Sequence, residues 1–276
     1  MALNSVNTNV GAQIALQNLQ VTNSELDQVQ SRINTGKRVA SAKDNGAVWA
    51  IAQGQRAEVR AQEAVKTSLN RGQSAVDVAL AGGESVSDLL IQLKEKALSA
   101  TDASLTTSAR SALNEDFKSL RNQIATVVTN SSFNGVNLLN NTITLGYRAL
   151  ANTAGTTITV DDENLSLGGA NVTVTATTTI GTAALATTAL GLVNASINNV
   201  SASLARLGTG SNSLGTHLTF IGKLQDALES GIGNLVDADL AKESARLQSL
   251  QTKQQLGVQS LSIANSSTSI LLGLFR

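Results

Sequence analysis

Apolar residues recur in alternating steps of four and three along most of this chain, and none of its 276 residues is proline. The first run is Ala12, Leu16, Leu19, Asn23, Leu26, Gln30 and Ile33. Further runs extend from Val65 to Ala97, Leu113 to Val127, Ala186 to Leu228 and Val236 to Leu271. Such spacing draws one narrow apolar stripe along a helix, the seam of a coiled coil. A proline inside any of these runs would cost about 3 kcal/mol, so its absence suits long unbroken helices. The predicted class is mainly α.

The seams differ in quality. The Leu113–Val127 run is wholly apolar, whereas the first and last place Asn23, Gln30, Glu243 and Gln254 in the stripe. Polar seam residues weaken a helix pair while specifying its partner. The two ends of the chain are therefore expected to be marginal alone.

Residues 141–180 break the pattern. TITLGYRAL, TTITV and NVTVTATTTI alternate Thr with Val or Ile between Gly and Asn clusters, which predicts short strands and hairpins. SSFNGVNLLN leads into them, its Asn134-Gly135 pair marking a turn after a helix predicted to end near Thr129. Helix is expected again from about Thr182.

Composition narrows the function. Net charge is zero and 14% of residues are charged, so nothing favours a nucleic-acid partner. No apolar run reaches the roughly 18 residues of a membrane span. There is no cysteine, which excludes disulfides and thiolate metal sites. MALNSVNTNVGAQIALQNLQ lacks the basic and continuous apolar regions of a secretory signal, so any export is expected to proceed without a cleaved one. His217 has no helical neighbour fit to be a base or metal partner, and is read as a surface or interface residue. Asp161-Asp162-Glu163 lacks the order of a calcium loop and reads as a solvated turn. Gly82-Gly83 suits close helix approach, and Trp49 and Tyr147 suit packing. Neither an enzyme nor a cofactor site is expected.

One stretch interrupts the helical pattern near the start: RINTGKRVASAKDN, Arg32 to Asn45. It resembles the N-terminal flagellin pattern R-[IL]-S/N-[ST]-G-x-[RK]-[IV]-x-[SG]-A-x-D-[DN]. The segment VDADLAKESARLQSLQTKQQLGVQSLSIANSSTSILLGLFR, from Val236, is similar to the flagellin C-terminus, and FNGVNLL, Phe133 to Leu139, to the family's F-N-G turn. Together they cover roughly residues 1–140 and 182–276 and suggest a compact, alphaproteobacterial-type flagellin.

The resemblance implies long antiparallel helices in three parts. Residues 1–43 and 232–276 would form a terminal coiled-coil domain lining the filament channel. Residues 44–140 and 182–231 would form a rod-like helical bundle, and 141–181 a small β insert on the outer surface. The implied function is a secreted structural subunit that self-assembles into the extracellular flagellar filament for motility; the alternative is a hook–filament junction protein. Implied partners are other flagellin subunits, alone or mixed with paralogues, the flagellar type III export apparatus and its chaperone, and hook-associated proteins, with no nucleic acid or membrane. The break becomes a spoke, where Gly36 gives the chain freedom to leave the helix. Arg32, Lys37, Arg38, Lys43 and Asp44, with Leu247, Leu250, Leu261, Leu271 and Phe275, are expected at subunit interfaces. Gln248, Gln251, Gln255, Gln259, Ser262 and Ser266 share one uncharged helix face and are expected to line the channel. The receptor-recognition segment L-Q-R-V-R-E-L is altered here to Leu90–Lys96, with Gln92, Lys94 and Lys96 in place of arginine, arginine and leucine. Weak activation of Toll-like receptor 5 is expected.

Overall fold

The computed structural model describes residues 8–143 and 145–273, with side chains through Ser266. Element order is α1 (Val10–Thr35), α2 (Gly46–Ala100), α3 (Thr107–Asn130), β1 (Tyr147–Leu150), β2 (Thr157–Val160), α4 (Ala183–Val236) and α5 (Leu240–Gly273). Side-chain oxygens cap the helix starts: Asn9 accepts the Ala12 N–H, Asn45 that of Val48, Thr106 that of Ala109, and Asp239 those of Ala241 and Lys242. The predicted mainly helical class holds, with α2 and α4 running unbroken for 55 and 54 residues. The chain forms two compact units, one of residues up to Ala57 together with those from Ala227, the other Glu58–Asp226.

In Glu58–Asp226, the seam read from sequence is the core. Val193, Val200, Leu207, Leu214 and Ile221, spaced by seven on α4, are all buried. They join Leu69, Val76, Leu90 and Leu93 of α2, and Phe117 and Ile124 of α3, in one cluster. Gly82 and Gly83 permit close approach, as expected. A Cβ on Gly83 would stand 2.6 Å from Leu204 Cδ2, and one on Gly82 would collide with Ser131 Oγ. Arg110, itself buried, donates to the Ala100 carbonyl and, at 2.9 Å, to that of Asp102, satisfying the end of α2.

The predicted Asn134-Gly135 turn is present. Both residues have positive φ, 50° and 80°, and Phe133 and Val136 exchange backbone hydrogen bonds across them. β1 and β2 pair antiparallel, Tyr147 opposite Val160 and Leu150 opposite Thr157. Two expectations for the insert need correction. Asn171–Ile180 is no strand: Val172, Val174 and Ile180 are buried, but the Thr173 N–H donates to Ser196 Oγ of α4 and the Thr178 carbonyl accepts from Arg121 of α3. The alternation is real, yet helix side chains serve where a neighbouring strand would. Nor is Asp161-Asp162-Glu163 simply a solvated turn. Asp161 is exposed, but Glu163 is buried and accepts from Arg206 Nε and NH2 at 2.5 and 2.6 Å.

His217 is half-buried, and its Nε2 lies 2.6 Å from the Ala151 carbonyl, tying the loop after β1 to α4. Tyr147 packs over Gly72, where a Cβ would come 2.9 Å from its ring. Trp49 is half-buried at the start of α2.

In the terminal unit, α1 and α5 pair along Leu26, Val29 and Leu250, backed by Ile33 and Leu247. The α5 stripe holds from Glu243 to Ala264: Glu243 and Leu250 are buried, and Leu247, Gln254, Gly257, Leu261 and Ala264 are half-buried. Leu240 at the helix start is exposed instead, and the side chains of Thr268 and Leu271 lie outside the described residues. The α1 stripe is shifted at every second position. Ala12, Leu19, Leu26 and Ile33 belong to it, but Ala15, Thr22 and Val29 replace Leu16, Asn23 and Gln30. Leu16 and Gln30 are exposed, while Asn23 is half-buried at its edge.

Candidate assembly surface

The break after α1 is an ordered joint. Gly36 takes the left-handed conformation at φ 67°, ending α1 where a side chain would be strained. Beyond it the backbone pairs with the α4–α5 junction. Arg38 N–H donates to the Val236 carbonyl at 2.7 Å, Ala238 N–H to that of Gly36 at 3.0 Å, and Lys37 lies opposite Asp237. The Arg38 guanidinium adds a bond to the Leu235 carbonyl at 2.9 Å. Asp44 closes the following loop. One carboxylate oxygen accepts from the Ala40 and Ser41 N–H groups and from the Ser41 hydroxyl. Those Ser41 bonds, with help from the Arg32 charge, hold its carboxyl below the usual range.

The structure therefore sorts the expected interface residues. Arg32 is committed within the chain, its NH1 3.2 Å from Glu243 Oε1. Leu250 is buried in the α1–α5 seam, and Leu247 and Leu261 lie half-buried along it. Lys37, Arg38, Lys43 and Asp44 are exposed. The side chain of Leu271, and Phe275 altogether, lie outside the described residues.

What the terminal unit leaves uncovered is more telling. Val10, Ile14 and Val21 share the face of α1 turned away from the seam, each more than half exposed. On α5, Leu256, Val258 and Ile263 are 60, 54 and 65% exposed. Thus α5 is not a simple amphipathic helix with one apolar stripe; only the side against α1 is covered. Between Val258 and the Leu256–Ile263 line run Gln248, Gln251, Gln255, Gln259, Ser262 and Ser266, all exposed. These exposed aliphatic residues were missed by the sequence reading, which followed a single stripe. Their signal was present in the apolar residues lying off the heptad.

In the other unit, Gln92 and Lys94 are exposed on α2 while Leu93 between them is buried. Lys96 is half-buried and pairs with Asp116 of α3 at 2.9 Å. That hydrogen bond raises its pKa, so Lys96 stays charged and engaged within the chain.

Among the described residues no group of histidine, cysteine or carboxylate side chains could hold a metal, and no helix is long and apolar enough to cross a membrane. Comparison with known proteins points the same way as the uncovered faces. Residues 6–144 match the bacterial flagellin N-terminal helical region, and residues 190–275 the bacterial flagellin C-terminal helical region. The chain is 58% identical to Flagellin FljM of Caulobacter vibrioides, with all of both chains covered. It is 46% identical to Flagellin FljJ of the same organism, covering 100% of this chain and 99% of that one. The flagellin of Brucella melitensis is 38% identical, with 99% of each chain covered. An ordered terminal helix pair with apolar faces left over, and full-length identity to flagellins, thus have one explanation: the chain belongs to the flagellin family, as a compact, alphaproteobacterial-type structural subunit of the flagellar filament.

Proposed function

We propose that this chain enters the filament by burying the outward faces of α1 and α5 against neighbouring copies. The observation that carries this is the six aliphatic residues of the terminal pair that are more than half exposed, Val10, Ile14, Val21, Leu256, Val258 and Ile263. Each is already partly covered, so full burial returns roughly half of the 1.5–3 kcal/mol of an aliphatic side chain taken wholly out of water. Contacts that join one face to a different face do not close, so they extend into an open helical polymer. Full-length identity to flagellins favours this role over the hook–filament junction.

In that reading, residues 1–43 and 232–276 line the channel, 44–140 and 182–231 form the next helical layer, and 141–181 lies outermost. Copies associate with one another or with paralogues outside the cell, after passage through the export apparatus with its chaperone, and meet hook-associated proteins at the filament's base. Lys37, Arg38, Lys43 and Asp44 set register between copies more than they add affinity. The Gln248–Ser266 strip faces the lumen, because neutral amides and hydroxyls neither hold a passing chain by charge nor bind its apolar side chains. A filament map with Gln255 and Gln259 packed on a neighbouring helix would remove that assignment. The Leu90–Lys96 segment activates Toll-like receptor 5 weakly, since Gln92 lacks an arginine's fork and Lys96 is held by Asp116. Strong signalling by the monomer in reporter cells would contradict it.

Seeded elongation of purified protein tests the main reading. The pair Ile14→Asp and Ile263→Asp should stop growth while the monomer keeps its helical content. Filaments of ordinary length from that variant would sink it.

A further inference from the structure

The α1–α5 seam repeats every seven residues, and its apolar part fits more than one alignment. On α1 the line Ala12, Leu19, Leu26, Ile33 carries only apolar residues, and on α5 Leu250, Gly257 and Ala264 are apolar or small. A slip of seven residues that set Gly257 against Ala12 would set Leu250 against Leu19 instead of Leu26. One aliphatic contact would replace another. Apolar burial is therefore a poor judge of register here.

The polar members of the seam behave differently. In the observed alignment Glu243, 9% exposed, accepts from Arg32 at 3.2 Å, and Gln254 donates to Asn23 Oδ1 at 2.8 Å. The remaining atoms Arg32 Nε and Glu243 Oε2 are buried with no hydrogen-bond partner, so the pair rests on the single NH1–Oε1 bond. After the seven-residue slip Glu243 would lie beside Leu26, and Gln254 beside Leu16. The buried Glu243 carboxylate would then face hydrocarbon, and the half-buried Gln254 amide would lose its partner, the first loss being the costlier.

We propose that the pairs Arg32–Glu243 and Asn23–Gln254 form the register code of the terminal helices, excluding heptad-slipped pairings that the apolar seam itself tolerates. The code acts within one chain and stands apart from the assembly reading. It fixes which outward residues of α1 and α5 lie side by side. The rival source of register is the backbone pairing of Gly36 and Arg38 with Ala238 and Val236 at one end of the seam.

Because the chain has no cysteine, engineered pairs report alignment without ambiguity. Leu19 Cβ lies 3.9 Å from where a Cβ on Gly257 would stand, inside the roughly 3.5–4.5 Å span of a disulfide. The full-length chain carrying Leu19→Cys and Gly257→Cys should close on oxidation, read as a monomer-mass band on a non-reducing gel and confirmed by peptide mapping. The slipped reporter, Ala12→Cys with Gly257→Cys, should stay open. Both reporters are then placed in a Glu243→Leu, Gln254→Leu background, whose seam gains apolar area and so keeps its drive to pair. There the slipped reporter should close and the native one lose yield. A charge exchange, Arg32→Glu with Glu243→Arg, should instead close the native reporter alone. If the leucine background still closes only the native reporter, the backbone pairing sets the register and the proposal falls. It falls equally if neither reporter closes, because the pairs would then supply affinity and not alignment.

Discussion

Two regions of this molecule use the same seven-residue grammar to opposite ends. In Glu58–Asp226 three helices and a hairpin surround one stripe, so Phe117, Leu90 and Leu207 are at most 1% exposed. In the terminal unit two helices share a stripe whose cluster is Leu26, Val29 and Leu250. Ordering a residue costs about 1–2 kcal/mol of backbone entropy, and isolated helices are marginal in water. A 34-residue helix resting on one partner therefore needs further burial, whereas the central helices have theirs already. Heptads specify a stripe; the number of elements around the stripe decides whether it folds alone.

The widest gap between the two regions should appear on truncation. Deleting residues 262–276 removes Ile263 and the apolar end of the chain, and should abolish filament formation outright. The central unit should keep its cooperative unfolding transition, followed by circular dichroism. In the reverse experiment, Phe117→Ala should lower the stability of the monomer by about 3–5 kcal/mol in denaturant. Normal filaments from the truncated chain, or a central unit that melts with the deletion, would erase the distinction.

A smaller effect tests how the insert is attached. Glu163 is buried, but the side chain of its partner Arg206 is 57% exposed, so water can solvate the arginine when the pair is broken. Glu163→Gln should therefore cost about 1–2 kcal/mol, below the range for fully buried pairs. Proteolysis should quicken between residues 161 and 180 while the helical core keeps its protection. Equal loss of protection throughout α2 and α4 would show instead that the insert is integral to the core.

The same contrast governs what could be read in advance. The buried line Val193–Ile221 was legible because it is crowded by apolar residues at one period, and most of the α5 stripe because its leucines keep one period despite Glu243 and Gln254. The α1 stripe was legible only by half. Steps of four and three, or three and four, share Ala12, Leu19, Leu26 and Ile33, and only the partner helix selects Val29 over Gln30. Val172 and Val174 alternated as a strand does, yet the identity of their partner, α4, lay beyond any local pattern. The site followed suit: Gly36 announced the joint, whereas the pairing of Arg32 with Glu243 joins residues 211 positions apart. The boundary between the units falls inside α2 and α4, where no loop marks it.

The finest comparison sets two acidic loops side by side, one in each region. Asp44 accepts from Ser41 through its N–H and hydroxyl, and Asp102 accepts from Ser104 in the same two ways. Those bonds lower the pKa of both carboxyls. A group whose folded pKa is depressed adds stability above its unfolded pKa and loses it as pH falls through the folded value. Each loop should therefore hold at neutral pH and loosen only in acid, below the ordinary aspartate range. The consequences differ by region. Loosening at Asp102 opens a connection between α2 and α3, whose ends remain fixed by Arg110 and the central core. Loosening at Asp44 frees the joint next to the surfaces proposed to meet neighbouring copies. Asp44→Asn should thus weaken filaments at neutral pH and flatten their response to acid below the ordinary aspartate range, measured as turbidity during a downward titration. Asp102→Asn should leave that curve where it was. Identical curves for the two variants would mean that the joint is as indifferent to its loop as the central helices are to theirs.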